Sequence, residues 1–180
     1  MDRYVFFDFD GTLTRRDTFF GFIRHLRGPF GMLKILFAES PSIIRGLLKG
    51  DESIAKERVL IRTLRGLNSK DYHDACESFA ESIRGIERES VVKALDEALK
   101  EGCHVGIVSA SIGDWIRPWA RSHGRIDVIA TECFSDGNEI LGKFRTPNCI
   151  GPEKVNRILE KWPELSEQRA HFHVTAYGNS

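Results

Sequence analysis

The apolar, aromatic run Tyr4-Val5-Phe6-Phe7 ends in Asp8-Phe9-Asp10-Gly11-Thr12-Leu13-Thr14, and this junction constrains the fold more than any other stretch of the chain. A run of that kind near residues 4 to 9 reads as a buried strand that delivers acids to the C-terminal edge of a sheet. Alternate residues of an extended chain share a side, so Asp8 and Asp10 are expected to project together while Phe9 turns away. Two like charges in one small space need a cation or a shared proton. Mg²⁺ suits hard carboxylate oxygens and keeps positions open for water and a phosphate oxygen, which makes phosphate chemistry the leading expectation. The competing account is a strand end entering a turn, for which Asp and Gly are equally apt.

From about residue 88 the pattern alternates strand and helix. Glu89 to Lys100 carries Val91, Val92, Ala94, Leu95, Ala98 and Leu99 on one helical stripe, with Gly102 placed to cap its C-terminus. His104 to Ser109 reads as a strand, Gly113 to Ser122 as a helix, and Ile126 to Thr131 and Phe172 to Tyr177 as further strands. Ser135-Asp136-Gly137-Asn138, between apolar segments, reads as a hairpin turn expected to shield the sheet edge. These elements predict an α/β fold with a Rossmann-like parallel sheet whose strand ends carry the polar residues a ligand meets.

Between Asp17 and about Gly85 the character is helical, with apolar clusters at Phe19, Phe20, Phe22, Ile23 and Leu26, at Met32 to Phe37, and at Ile43 to Leu48. A segment of that size is too long for a βα connection, so it is expected to be an inserted cap over the catalytic edge. The division predicted is a core of residues 1–16 and 86–180 and a helical cap of residues 17–85. Lys34, Glu39, Pro41 and Arg45 interrupt the apolar run from Pro29 to Leu48, which argues against a spanning helix but leaves an amphipathic, lipid-touching surface open.

Ser109 ends a predicted strand, where its hydroxyl and the N–H of Ala110 could reach a phosphate oxygen at a helix start. Ser111 is expected to serve as a helix N-cap instead. Lys154, in Ile150-Gly151-Pro152-Glu153-Lys154-Val155, falls in the first turn of a predicted helix, against the macrodipole. Solvation or a neighbouring negative charge would account for it.

Together, Asp8-Phe9-Asp10-Gly11-Thr12-Leu13-Thr14, Ser109 and Lys154 resemble, in order, the first three motifs of the haloacid dehalogenase-like hydrolases, and the helical insertion resembles the phosphoserine-phosphatase-like branch. That resemblance implies a Mg²⁺-dependent phosphomonoester hydrolase that works through an aspartyl-phosphate, with Asp8 as nucleophile and Asp10 as general acid and base. It places Ser109 and Lys154 on the phosphate, with Gly11, Thr12 and Ala110 beside the substrate. Asp17 and Arg58 match the positions that read a substrate amine and carboxylate, although a helix cap and a solvated face account for them equally well. The Phe-rich entry after Asp17 also resembles the branch acting on phosphatidylglycerophosphate, so a lipid phosphatase is the rival. At the fourth motif, Thr175-Ala176-Tyr177-Gly178-Asn179-Ser180 puts Asn179 where an acidic metal ligand normally stands, so the implied metal set is Asp8, Asp10 and Asn179. A second acid would lie past Ser180, so a continuation of the chain is expected. Without it, a catalytically silent phosphate-binding protein is a further alternative.

Lys+Arg and Asp+Glu number 26 each, which argues against an electrostatic nucleic-acid partner and makes steering of a substrate local; the resemblance implies a small-molecule phosphate ester as the partner. Cys76, Cys103, Cys133 and Cys149 form no Cys-x-x-Cys pair and no signal peptide precedes the first strand, so a reduced cytoplasmic setting is expected. His171 and His173 around Phe172 are expected to be structural, as are Trp115 and Trp119, one helical turn apart. A signalling receiver domain also combines an acidic cluster, a hydroxyl and a lysine, but it places its phosphorylated Asp after a mid-chain strand and lacks a helical insertion. The chain holds no Gly-x-x-x-x-Gly-Lys loop, internal repeat or low-complexity tract.

Overall fold

The computed structural model describes residues 2–135, 139–167 and 172–178. In chain order the elements are β1 (Asp2–Phe7), α1 (Thr18–Ala38), α2 (Ser40–Lys49), α3 (Ser53–Leu64), α4 (Ser69–Ile83), α5 (Glu89–Lys100), β2 (His104–Ile112), α6 (Gly113–Arg121), β3 (Asp127–Thr131), β4 (Cys133–Ser135), β5 (Ile140–Phe144), α7 (Pro152–Lys161), the short α8 (Glu164–Glu167) and β6 (Phe172–Tyr177).

Strands β3, β2, β1 and β6 form one parallel sheet in that order. The chain builds outward from β1 to β2 and β3, then crosses to lay β6 on the other side of β1. A parallel sheet of this kind offers its ligand crevice outside the carboxyl ends of the strands where the order reverses, here beside β1 and β6.

Both faces of β1 and β2 are covered, whereas every residue of the edge strand β6 is at least partly exposed. Val5, Phe7 and Ile107 turn to one side and join a core with Phe22, Leu60, Phe79, Leu95 and Trp115. Tyr4, Phe6 and Val108, the alternate residues, turn to the other and pack on Cys149, Trp162 and Leu165. Burying each such large apolar side chain is worth about 1.5–3 kcal/mol. Helices α1 to α4 contribute to the first of these cores. Phe22 of α1 stacks on Trp115 of α6 with centroids 4.5 Å apart, and both are fully buried.

The predicted helix at Glu89 to Lys100 ends as its sequence suggests. Gly102 takes φ 73°, and the N–H of Cys103 donates to the carbonyl of Ala98, which satisfies an orphan carbonyl of the last turn. Three expectations need correction. The first strand ends at Phe7, so Asp8 and Asp10 are not alternate residues of one strand. From Phe9 to Leu13 the chain turns, with Gly11 at φ 74° and the N–H of Thr14 bonded to the carbonyl of Phe9. Strand β2 runs on past Ser109 to Ile112. The hairpin of β4 and β5 forms its own sheet and packs on α3 rather than on the edge of the large sheet; its tip lies outside the described residues. There the N–H of Phe144 donates to Glu57, and a Cβ on Gly142 would sit 2.7 Å from Ile61 Cα.

Helix α1 breaks at Gly28, which takes φ 70° and ψ 171°, and Pro29 starts its second half. Glu39, where α1 meets α2, is buried with 5% of its side chain exposed. Arg58 Nε lies 3.1 Å and Arg62 Nε 2.7 Å from its carboxylate oxygens. Burial would raise the Glu39 pKa, but the hydrogen bonds and charges of Arg62 and Arg58 outweigh it and hold it below the usual value. Among the described residues no helix is long and apolar enough to cross a membrane. The four cysteines are unpaired, Cys76 and Cys149 being buried.

Candidate active site

The acids beyond β1 reach different surroundings. Asp8 continues the sheet edge for one residue, its N–H donating to the carbonyl of Tyr177 on β6 at 2.9 Å. Its Oδ1 accepts from the N–H of Phe9 at 2.8 Å and lies 2.9 Å from Lys154 Nζ. Lys154 stands in the first turn of α7, so the charge it meets there is the Asp8 carboxylate. The pair opens into a crevice of about 310 Å³ lined by Phe7, Val108, Ile158, Tyr177 and Gly178. Both side chains are about a quarter exposed, so they are screened less than a surface pair but remain open to a ligand.

Asp10 is more enclosed. One carboxylate oxygen accepts from the N–H and the hydroxyl of Thr18, each at 2.7 Å; the other accepts from the Ser111 hydroxyl. Burial pushes its pKa up, and the bonds from Ser111 and Thr18 offset only part of that. Ser111 is therefore no helix cap. β2 extends to Ile112, with a register shift against β3 between Ser109 and Ile112; within that stretch the Ser111 hydroxyl reaches Asp10 and its N–H donates to Ser109 Oγ at 3.0 Å. Ser109 itself is buried beside the first-strand turn. Gly11 lies in that turn, its carbonyl accepting from Arg88 at 3.0 Å, and Thr12 is buried there.

A second cavity, of about 590 Å³, is lined by Asp17, Phe19, Phe20, Leu36, Ile43, Leu47, Lys56, Val59, Ala110 and Asn148 among others. Asp17 caps α1 by accepting from the N–H groups of Phe19 and Phe20, and it also faces this cavity. Arg58 does not face it. That guanidinium is held by Glu39 and borders a separate crevice with Ile61, Arg62 and Arg65. The basic group in the cavity is Lys56, two residues earlier in α3, whose Nζ donates to the carbonyl of Ala110 at 2.8 Å and sits 5.0 Å from the centre of the Phe19 ring. Burial lowers the Lys56 pKa, against the pull of Asp10 and Asp17. Asn148 completes this wall and bonds Ser53 at 3.2 Å; behind it the buried Thr131 Oγ1 donates to the Ala110 carbonyl at 3.1 Å.

Sequence reasoning missed Ser111 and Lys56. The Ser-x-Ser spacing at a strand end carried the first signal, and a lysine among Ala55, Val59 and Leu60 on the buried stripe of α3 carried the second. Asn179 lies outside the described residues, as does His171, and His173 is exposed. Carboxylate and carbonyl oxygens at Asp8 and Asp10 have the hard-donor chemistry that suits Mg²⁺. Among the described residues no group of three or more His, Cys, Asp and Glu side chains gathers as a metal cage.

The chain matches the haloacid dehalogenase-like hydrolase model over residues 5–180 and belongs to that family. It is 32% identical over 162 residues to Protein CicA of Caulobacter vibrioides strain NA1000, spanning 87% of this chain and 71% of that protein. A protein of unknown function from Bordetella pertussis Tohama I shares the fold with a TM-score of 0.75 at 20% identity, over 96% of this chain and 79% of that one. A phosphoserine phosphatase solved as a phospho-aspartyl intermediate analogue shares it with a TM-score of 0.64 at 15% identity, over 97% and 78% of the two chains.

Proposed function

We propose that this hydrolase is a Mg²⁺-dependent phosphatase acting on phosphomonoesters through an aspartyl-phosphate on Asp8, a reaction of the phosphoserine-phosphatase type. The observation that carries this reading is the contrast between the two acids: Asp8 faces an ammonium at an open crevice, while Asp10 is enclosed and inclined to keep a proton. Acid–base pairs are recognised by environments that push neighbouring carboxyl groups apart in this way.

In this mechanism Lys154 and Ser109 hold the phosphate oxygens while an Asp8 oxygen attacks phosphorus in line. The bond from phosphorus to the ester oxygen breaks, and the leaving alcohol takes its proton from Asp10. The Asp10 carboxylate then removes a proton from water, whose oxygen attacks phosphorus and breaks its bond to Asp8, releasing inorganic phosphate and restoring both side chains. Acid–base help of this kind contributes about 10²- to 10⁴-fold, so charge stabilisation and positioning carry most of the acceleration. Mg²⁺ held by the Asp8 carboxylate, the Asp10 backbone carbonyl and Asn179 would supply positive charge beside the phosphate oxygens.

Helices α1 to α4, residues 17–85, act here as the cap that selects substrate. What supports this is the cavity that Asp17, Phe19 and Lys56 share with Ala110 and Asn148. Lys56 takes the anion-reading role that the resemblance gave to Arg58, and Gly11, Thr12 and Ala110 border the phosphate. Four unpaired cysteines support a cytoplasmic setting. The test is phosphate release from an aryl phosphate and from phosphoserine, with Mg²⁺ and with chelator, for the wild type and Asp8→Asn. Metal-dependent release lost in the variant supports the proposal; equal release by both proteins removes Asp8 from its role, and phosphate binding without turnover marks a silent binding protein.

A further inference from the structure

The second half of α1 and the whole of α2 leave large apolar side chains in solvent. Phe30, Leu33 and Phe37 recur at helical spacing on α1 and are 80%, 64% and 81% exposed. On α2, Ile44, Leu47 and Leu48 are 57%, 62% and 83% exposed, again along one face. Single exposed apolar residues need no explanation, but a contiguous group on two successive helices does. Ile35 and Gly46 are the residues these two segments bury, so their outward faces contribute little to the fold.

Charge identifies the occupant. Arg24, Lys34, Arg45 and Lys49 are exposed along the same segment. The only acid between Arg24 and Gly50 is Glu39, which is buried and neutralised by Arg58 and Arg62. Asp51 and Glu52 follow closely on α2, so the segment carries an excess of basic charge rather than basic charge alone. An apolar face flanked by such an excess matches the headgroup and acyl boundary of an anionic bilayer, where apolar side chains bury and basic ones meet lipid phosphates. A second copy of the chain would bring the same positive charge to the contact.

We infer that α1 and α2 form a docking face for an anionic lipid surface. Phe20 and Leu47 are exposed and also line the cavity that holds Asp17 and Lys56, so docking sets the mouth of that cavity at the bilayer. The inference goes beyond the proposed hydrolysis and stands without it, because binding is read without turnover.

The experiment is co-sedimentation of the full chain with phosphatidylcholine vesicles, either pure or containing about a third phosphatidylglycerol, at low and high salt. The wild type is expected to bind the anionic vesicles, to bind pure phosphatidylcholine at least tenfold more weakly, and to lose affinity as salt rises. Phe30→Ser/Phe37→Ser/Leu48→Ser and Lys34→Glu/Arg45→Glu should each cut binding tenfold or more. The single Phe37→Ser variant, whose thermal unfolding should match the wild type, is expected to weaken it measurably. Absence of wild-type binding to either vesicle, or unchanged binding in the variants, overturns the inference. So does self-association in sedimentation velocity that the triple substitution abolishes, since a second copy would then own the face.

Discussion

Lys154 Nζ lies 2.9 Å from Oδ1 of Asp8, an ion pair that joins the first turn of α7 to the end of β1. Lys154→Met leaves the methylene stem and removes the charge. If the ammonium neutralises a phosphate oxygen during attack, kcat/KM for an aryl phosphate should fall by about 10²- to 10³-fold, as for loss of one preorganised donor. Steady-state kinetics check this, and a loss confined to stability contradicts it.

Ser111 donates to the Asp10 carboxylate and so helps to hold down a pKa that burial has raised. Ser111→Ala removes that restraint, and the Asp10 pKa should climb further. Since protonated Asp10 is the general acid, activity fades as pH rises through its pKa, and the variant should keep its activity to higher pH. The pH profile of kcat with an alkyl phosphate, whose leaving group needs a proton, reads the shift; an alkaline limb unmoved or shifted downward contradicts it.

Asp10 also links stability to pH. Its folded pKa is raised above the ordinary 3.8, so the folded state holds this proton more tightly than the unfolded chain, and stability is lost as pH rises through the folded value. Asp10→Asn cannot ionise, yet it can still accept from Thr18 and donate to Ser111. It should melt higher than the wild type at neutral pH, by roughly 2–4 °C for each kcal/mol recovered, with the gap closing below about pH 4. Thermal unfolding across that range is the check, and a variant less stable at neutral pH contradicts it.

Lys56 and Arg58 separate substrate reading from scaffolding. Lys56→Met should raise KM for phosphoserine by about tenfold or more while changing an aryl phosphate less, because the loss falls on the part of the substrate away from phosphorus. Arg58→Ala should lower the melting temperature through Glu39 and leave the ratio of the two substrates unchanged. The reverse pattern would return the role to Arg58.

The parallel sheet was legible because its strands are short apolar runs bounded by polar residues, and α5 because its stripe and Gly102 agree. Lys154 was legible for a local reason: a lysine in a first helical turn calls for a compensating charge, and Asp8 supplies it. Strand alternation is not what places Asp8 and Asp10, since the chain turns after Phe7 and gives the two acids different hydrogen-bonding partners. Ser111 was misread because three more residues of β2 decide whether it caps a helix or faces Asp10. Glu39 and the choice between Lys56 and Arg58 could not be read at all. Their partners come from other elements, and Lys56 and Arg58, two residues apart on α3, differ in role only by which side of the helix meets the cavity. The hairpin's seat on α3 depends likewise on a long-range fit at Gly142.

The central claim, that Asp8 is the group phosphorylated, is met most directly by mass analysis of quenched reactions. Asp10→Asn with an aryl phosphate is the system of choice, since that leaving group departs without a proton while hydrolysis of the acyl phosphate stalls for want of a base. The account predicts one phosphoryl group on the peptide carrying Asp8, removed by hydroxylamine and absent from Asp8→Asn/Asp10→Asn. Release of the aryl alcohol with no phosphoryl group on that peptide would contradict it.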